Sequence, residues 1–258
     1  MPIDANKNIF SLTGKTALVT GASRGLGQAI AIGLAQAGAD VICSSSRVGG
    51  VDETADLVRE TGQKAYTIAA DLSQPDAVRN LVEQAYNLVP NIDVLVNNGG
   101  TIARYPAVDF PLDEWNKVID VNLNSAFLLC QLIGKKMVEN NQGKIINIAS
   151  MLSFQGGITV PAYTASKHAI VGLTKALANE WAASNVQVNA IAPGYFRTDN
   201  TQALQDNPER NLDIKKRIPA GQWGEPAQLV GAAIFLATTA SDYVNGHVLA
   251  VDGGWLAR

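Results

Sequence analysis

Cysteine and histidine are scarce, with two of each in 258 residues. Cys43 and Cys130 each sit inside an apolar run, the usual setting of a small buried hydrophobe. A disulfide framework is therefore not expected, and a reducing, cytoplasmic setting is. No Cys/His cluster has zinc spacing and no carboxylate set follows the spacing of a calcium loop, so the chemistry is expected to need no metal. An excess of one charge is missing too. With 20 basic against 23 acidic side chains and a net charge of -3, there is no Lys/Arg stripe for a phosphate backbone, and nucleic acid is not an expected partner. Long hydrophobic runs are also lacking: the apolar stretch Ala29 to Cys43 is broken by Gln36, Gly38 and Asp40, short of the ~20 residues a membrane span needs. The opening segment Met1 to Leu12 carries Asp4 and no apolar run, so it does not read as a secretory signal. A small soluble ligand is the partner that remains.

What the chain does have is alternation. Seven short β-branched runs (Thr16 to Thr20, Val41 to Ser44, Ala65 to Ala69, Val94 to Asn97, Lys144 to Ile148, Gln187 to Ala192 and Val248 to Val251) are separated by longer helical patterns. Most are apolar on successive residues, as strands covered on both faces of a parallel sheet should be. The expectation is an α/β fold, a single doubly wound Rossmann fold with a seven-stranded parallel sheet. No linker, repeat or low-complexity segment divides residues 1–258, which read as one domain. The irregular stretch Tyr195 to Trp223, with helix-like pieces at Thr201 to Leu204 and Leu212 to Lys216, falls beyond a strand's C-terminal end and reads as a substrate lid.

Directly after the first strand comes Thr20-Gly21-Ala22-Ser23-Arg24-Gly25-Leu26-Gly27, running into the helical pattern Gln28 to Ala37. Glycines let the backbone turn tightly against a pyrophosphate, and a helix starting there offers unpaired N–H groups and its positive dipole end. Gly21, Ser23, Arg24, Gly25, Leu26 and Gly27 are therefore candidate cofactor contacts. A plain Gly-rich turn is the alternative, which the position between strand and helix weakens. Dinucleotide folds commonly place an acidic residue at the end of strand two. Here Ser44-Ser45-Ser46-Arg47 stands in its place. Asp40 falls at the wrong end of the strand, and Asp52 reads as a helix N-cap. By charge alone Ser45, Ser46 and Arg47 suit a 2′-phosphate; a solvated loop arginine is the alternative.

Tyr163 and Lys167 open a helical pattern that continues to about Ala182. Four residues apart, they share one helix face. An ammonium near a phenol favours the phenolate and is expected to lower the Tyr163 pKa, making a usable acid or base. Ser150, 13 positions earlier, could hydrogen-bond a reacting oxygen or simply cap a turn. Asn122 falls in a helical pattern where Asn is mildly unfavourable, which invites a functional role or a satisfied buried amide.

TGASRGLG, NNGG at Asn97 to Gly100, Asn122, Ser150, YTASK and Pro193-Gly194 occur in this order, and together they resemble the short-chain dehydrogenase/reductase family over essentially the whole chain. The resemblance implies an oxidoreductase that moves a hydride between NAD(P) and a carbonyl or secondary alcohol. It implies that Tyr163 exchanges the proton, that Lys167 lowers its pKa and holds the nicotinamide ribose, that Ser150 binds the substrate oxygen and that Asn122 supports a proton relay. Likewise Asp71 and Leu72 resemble the adenine contact, Asn98 and Gly99 the adenosine-ribose wall, and Pro193, Gly194 and Thr198 the nicotinamide-side loop. Where the family more often shows NNAG this chain has NNGG. The stretches Asn147 to Tyr163, Arg217 to Trp223 and Ser241 to Arg258 resemble family members acting on acyclic sugar acids of uronate breakdown, which generally prefer NAD. NAD is thus the expected cofactor, against a local charge that suits NADP. Arg104, Gln155 and Arg217 are the candidates for a sugar-acid substrate. The apolar, glycine-rich C-terminus Val248 to Trp255 resembles the segment that packs at subunit contacts in this family, and that resemblance implies a homotetramer. Polyol or keto-acid dehydrogenation by the same residues, such as gluconate 5-dehydrogenation, is the enzymatic alternative; a silent dinucleotide-binding regulator is the other.

Overall fold

The computed structural model describes residues 8–258, and in it burial on successive residues, read above as the mark of doubly covered strands, holds for five of the seven strands, while Ala65–Ala69 and Val248–Val251 at the sheet edges are only partly buried. Asp4 and the other six opening positions lie outside the described residues. In chain order the elements begin β1 (Thr16–Thr20), α1 (Gly25–Gln36), β2 (Asp40–Ser45), α2 (Asp52–Glu60), β3 (Ala65–Ala69), α3 (Pro75–Leu88) and β4 (Val94–Asn97). They continue with α4 (Leu112–Ile119), α5 (Ser125–Glu139), β5 (Gly143–Ile148), α6 (Pro161–Trp181), β6 (Val186–Pro193), α7 (Asp199–Gln205), α8 (Pro208–Arg217), α9 (Ala227–Ala237) and β7 (Val248–Val251). All seven strands pair in parallel in the order β3-β2-β1-β4-β5-β6-β7. The order reverses between β1 and β4, so the crevice beyond their C-terminal ends is the place where such a sheet binds ligands.

Alternate residues of one strand feed two separate cores. Ala17 and Val19 of β1 pack with Ile30 and Leu34 of α1 and Leu229 and Leu236 of α9. Leu18 packs on the opposite face with Leu81 of α3, Leu129 and Ile133 of α5 and Leu177 of α6. Cys43 belongs to the first core and Cys130 to the second, so the sheet itself stands between the two thiols. Burial pushes each thiol up to about 12.

Two details differ from the sequence reading. Strands β2, β5 and β6 extend one residue further at their N-terminal ends than the apolar runs suggest. Asp52 is the first residue of α2 rather than its cap, a position Val51 occupies; with Glu53 it puts negative charge in the first turn, where the helix dipole favours it. The two helix-like pieces of the 195–223 segment lie within α7 and α8. No helix of the described residues is long and apolar enough to cross a membrane.

Candidate active site

Beyond Thr20 the backbone turns through Gly21 and Gly25, both at positive φ (63° and 58°), a region glycine enters without steric cost. Gly27 begins the packed part of α1: a Cβ there would lie 2.2 Å from the Gly21 carbonyl oxygen and 2.3 Å from Asn98 Nδ2. The turn is tied to the end of β4. Asn98 Nδ2 donates to the carbonyls of Thr20 and Gly21, both at 3.0 Å, while the Thr20 hydroxyl accepts from the backbone N–H of Asn98 and Gly99. Gly99 admits Leu72 so closely that a Cβ would sit 2.3 Å from Leu72 Cδ1. No side chain caps α1 and its first turn carries no acid, so its positive end is available to an anion.

These elements border a cleft of about 480 Å³. Gly21, Ser23, Arg24, Gly25, Leu26 and Gly27 line it from the turn, Ser45 and Ser46 from the end of β2 and just beyond it, Asp71 and Leu72 after β3, Asn98 and Gly99 after β4. Ser150, Tyr163, Lys167, Pro193, Gly194 and Thr198 line the other end. A chain of small residues, backbone donors and a free helix start along one elongated cleft fits a dinucleotide. Arg47 does not line it. Its carbonyl closes a turn by accepting from Ser45 Oγ and Gly50 N–H, both at 3.1 Å, and the residue lies exposed past the strand end. Lys117, Phe196, Asp199 and Asn200 line the cleft without having been singled out in the sequence. Asp199 forms an ion pair with Arg24 at 2.9 Å, joining α7 to the glycine turn; Thr198 beside it was the only available signal.

Tyr163 and Lys167 lie one turn apart on α6. Lys167 is 5% exposed and its Nζ donates to the Ile148 carbonyl at 2.6 Å, 5.6 Å from the Tyr163 ring centre. Burial drops its pKa from 10.5 to about 8. The Tyr163 phenol is not lowered as the spacing suggested. Burial raises it, and the Ser150 hydroxyl and the charge of Arg104 only partly oppose that. The reason is geometric: the Lys167 ammonium is directed at a backbone carbonyl, so desolvation decides the sign. Ser150 also does what a serine after a strand does by default. Its Oγ accepts from Leu152 N–H at 3.1 Å, capping a short 3-10 turn over Met151–Ser153.

Asn122 is 2% exposed and does not line the cleft. It sits in a π-helical turn, Asp120–Asn124, between α4 and α5, a form that recurs at functional sites. Its Oδ1 accepts from Thr101 N–H at 2.8 Å, and its Nδ2 donates to Thr101 O at 2.9 Å and Ser166 Oγ at 3.1 Å. Ser166 in turn donates to the Tyr163 carbonyl at 2.8 Å, so Asn122 braces the turn that carries the phenol. The three substrate candidates lie outside the main cleft. Arg104 is exposed, yet its charge reaches both Tyr163 and Tyr195. Arg217 is bound to Gln155.

A family model described as short chain dehydrogenase matches residues 15–209, three quarters of the chain. The chain belongs to the short-chain dehydrogenase family. A 2-dehydro-3-deoxy-D-gluconate 5-dehydrogenase of Bacillus subtilis (strain 168) is 58% identical over 96% of this chain and 97% of its own length. The Escherichia coli (strain K12) protein of the same name is 50% identical over 96% and 98%. Among solved structures, a gluconate 5-dehydrogenase from Burkholderia cenocepacia J2315, in complex with NADP and tartrate, superposes with a TM-score of 0.93 at 39% identity, covering 97% of this chain and 98% of that one. In this short-chain dehydrogenase the glycine turn and the Tyr163 region therefore face one another across a single cleft.

Proposed function

We propose that the chain is an NAD(P)-dependent dehydrogenase of an acyclic sugar acid, interconverting 2-dehydro-3-deoxy-D-gluconate and its 5-keto counterpart. The observation that carries this reading is the meeting of a half-buried phenol, Tyr163, with Ser150 and Lys167 at one end of a cleft whose other end is a glycine-rich cradle. The two relatives that bear this name support the substrate. Bound in the cradle, a nicotinamide would supply or accept the hydride. The chain's residues do the rest. Ser150 holds the reacting oxygen, and Tyr163 gives that oxygen its proton or takes it back; a phenol kept protonated by burial suits the donor's part. Lys167, with a pKa of about 8, is mostly an ammonium at neutral pH and sets the charge beneath the phenol. Asn122 acts from behind, by holding the Thr101 backbone and Ser166.

For the cofactor we propose NAD, because neither nearby arginine is committed to a 2′-phosphate: Arg47 lies outside the cleft and Arg24 is paired with Asp199. The NADP reading has its own support, since Ser44, Ser45 and Ser46 line the β2 end with no carboxylate among them and the Burkholderia relative holds NADP. Residues 1–258 are proposed to act as one domain, with the 195–223 segment as lid, in a cytoplasmic homotetramer. The half-buried edge strand β7 suits a subunit contact, because an open sheet edge needs cover.

Steady-state oxidation of NADH and NADPH against keto-uronates, keto-gluconates and simple ketones tests the reading. Selective turnover of a 3-deoxy keto-uronate supports it; activity on 5-keto-gluconate alone moves the chain to gluconate 5-dehydrogenation, and no turnover at all returns it to a dinucleotide-binding regulator.

A further inference from the structure

The segment after β7 folds back under α8 and ends in an aromatic cluster that the reaction scheme leaves unused. Gly253 and Gly254 turn the chain at positive φ (65° and 90°), and Asp252 holds the turn by accepting from the N–H groups of Gly254 and Leu256, both at 2.9 Å. This drives Trp255, 4% exposed, into a small core with Met151, Ile214, Ile218 and Trp223. Tyr195, the residue after the cleft-lining Gly194, packs edge-on against Trp255 with ring centres 4.8 Å apart.

Two polar side chains converge on that indole. The Arg217 guanidinium stacks 3.9 Å from the Trp255 ring centre, within cation–π range. Gln155, five residues after Ser150, accepts at Oε1 from Trp255 Nε1 at 3.3 Å and from Arg217 Nη2 at 3.1 Å. Both partners are donors only, so the amide can stand in one orientation, oxygen towards them and NH2 away. No described residue accepts from Nε2. Arg104 and Arg210 add positive charge at Tyr195.

We propose that Trp255 is a positioning residue for substrate recognition: it locks Gln155 and Arg217 into a fixed array of N–H donors that receives the carboxylate of the substrate. The proposal rests on the sugar-acid reading and adds to it a tail residue 100 positions away in sequence that decides how that acid is held. A planar guanidinium beside a primary amide matches the two oxygens of a carboxylate. A neutral keto sugar would engage the same donors more weakly.

Two substitutions separate positioning from mere packing. Trp255→Phe keeps a ring for Tyr195 and Arg217 but deletes the N–H that orients Gln155. Gln155→Glu keeps acceptors for Trp255 and Arg217 but replaces the outward NH2 by a carboxylate oxygen. The readouts are KM and kcat with the active keto acid and with a neutral keto sugar such as D-fructose, plus the melting temperature. For Trp255→Phe the acid-to-neutral ratio of kcat/KM should fall about three- to tenfold, mainly through KM, as for loss of one hydrogen bond. For Gln155→Glu it should fall roughly tenfold or more, since a like charge replaces a donor. An unchanged ratio in both variants, or equal losses on both substrates with a lowered melting temperature, overturns the assignment while the functional reading stands. A wild-type enzyme that reduces neutral keto sugars and no sugar acid overturns both.

Discussion

Replacing Lys167 by Met tests the charge balance at the centre of the site, and the sign of its effect on stability is the opposite of what loss of a hydrogen-bonded lysine suggests. In the folded chain Lys167 titrates at about 8 instead of 10.5 because burial penalises its charge. At about 1.4 kcal/mol per pH unit, that drop corresponds to about 3 kcal/mol. Below pH 8 both folded and unfolded chains carry the proton, and the whole of that cost weighs on the folded state. Between pH 8 and 10.5 the unfolded chain keeps a proton that the folded chain has released, so folded stability gains there as pH rises. Lys167→Met removes the titration. It also removes the 2.6 Å bond to the Ile148 carbonyl, a loss of about 1–3 kcal/mol that is nearly independent of pH. Urea unfolding of the cofactor-free protein and the variant from pH 7 to 10.5 isolates the first effect, since every other titrating group is shared. The stability of the variant relative to wild type should fall by about 3 kcal/mol across that range, with turnover reduced roughly a hundredfold or more at all of it. Parallel stability curves would show that the ammonium is solvated in the native protein and refute the reasoning.

Tyr163→Phe should reduce turnover by about two to four orders of magnitude while the dissociation constant for NADH, followed by nucleotide fluorescence, moves less than severalfold, because the lost group serves only proton transfer. Gly27→Ala should weaken cofactor binding in the same titration and cost about 1–3 kcal/mol in unfolding, since the new methyl meets the Gly21 backbone carbonyl and an Asn98 amide held by two hydrogen bonds. Asn122→Ala leaves the Thr101 backbone and Ser166 without their partner. We expect about 1–3 kcal/mol of lost stability and a fall in kcat greater than the rise in KM; the reverse split would place Asn122 in substrate binding.

The sheet was legible because its signal is local and redundant. The five inner strands are runs of successive buried residues, mostly apolar, and the glycine turn sits where β1 must hand over to α1. Even the π-helical turn announced itself indirectly, through an asparagine in a helical context. Its bulge could not be read, because only the fold reveals that Asn122 reaches the Thr101 backbone. The strand boundaries were short by a residue where Asp40 or Gly143 continues the ladder without continuing the apolar pattern, and at Val186, which lies before the polar Gln187.

What the sequence misread was electrostatic, and for one reason. Spacing says which side chains share a face, but the sign of a pKa shift depends on what else competes for the charge. YxxxK places an ammonium near a phenol, yet the nearest acceptor to Lys167 is a carbonyl of β5, and burial outweighs the pairing that the spacing suggests. Arg47, for which charge alone left a 2′-phosphate contact and a solvated loop arginine open, lies exposed past the strand end and does not line the cleft. Gln155 and Arg217 meet at Trp255, which the C-terminal turn at Gly253 and Gly254 brings against elements far apart in sequence. No window of residues could encode that contact, which only the folded chain displays.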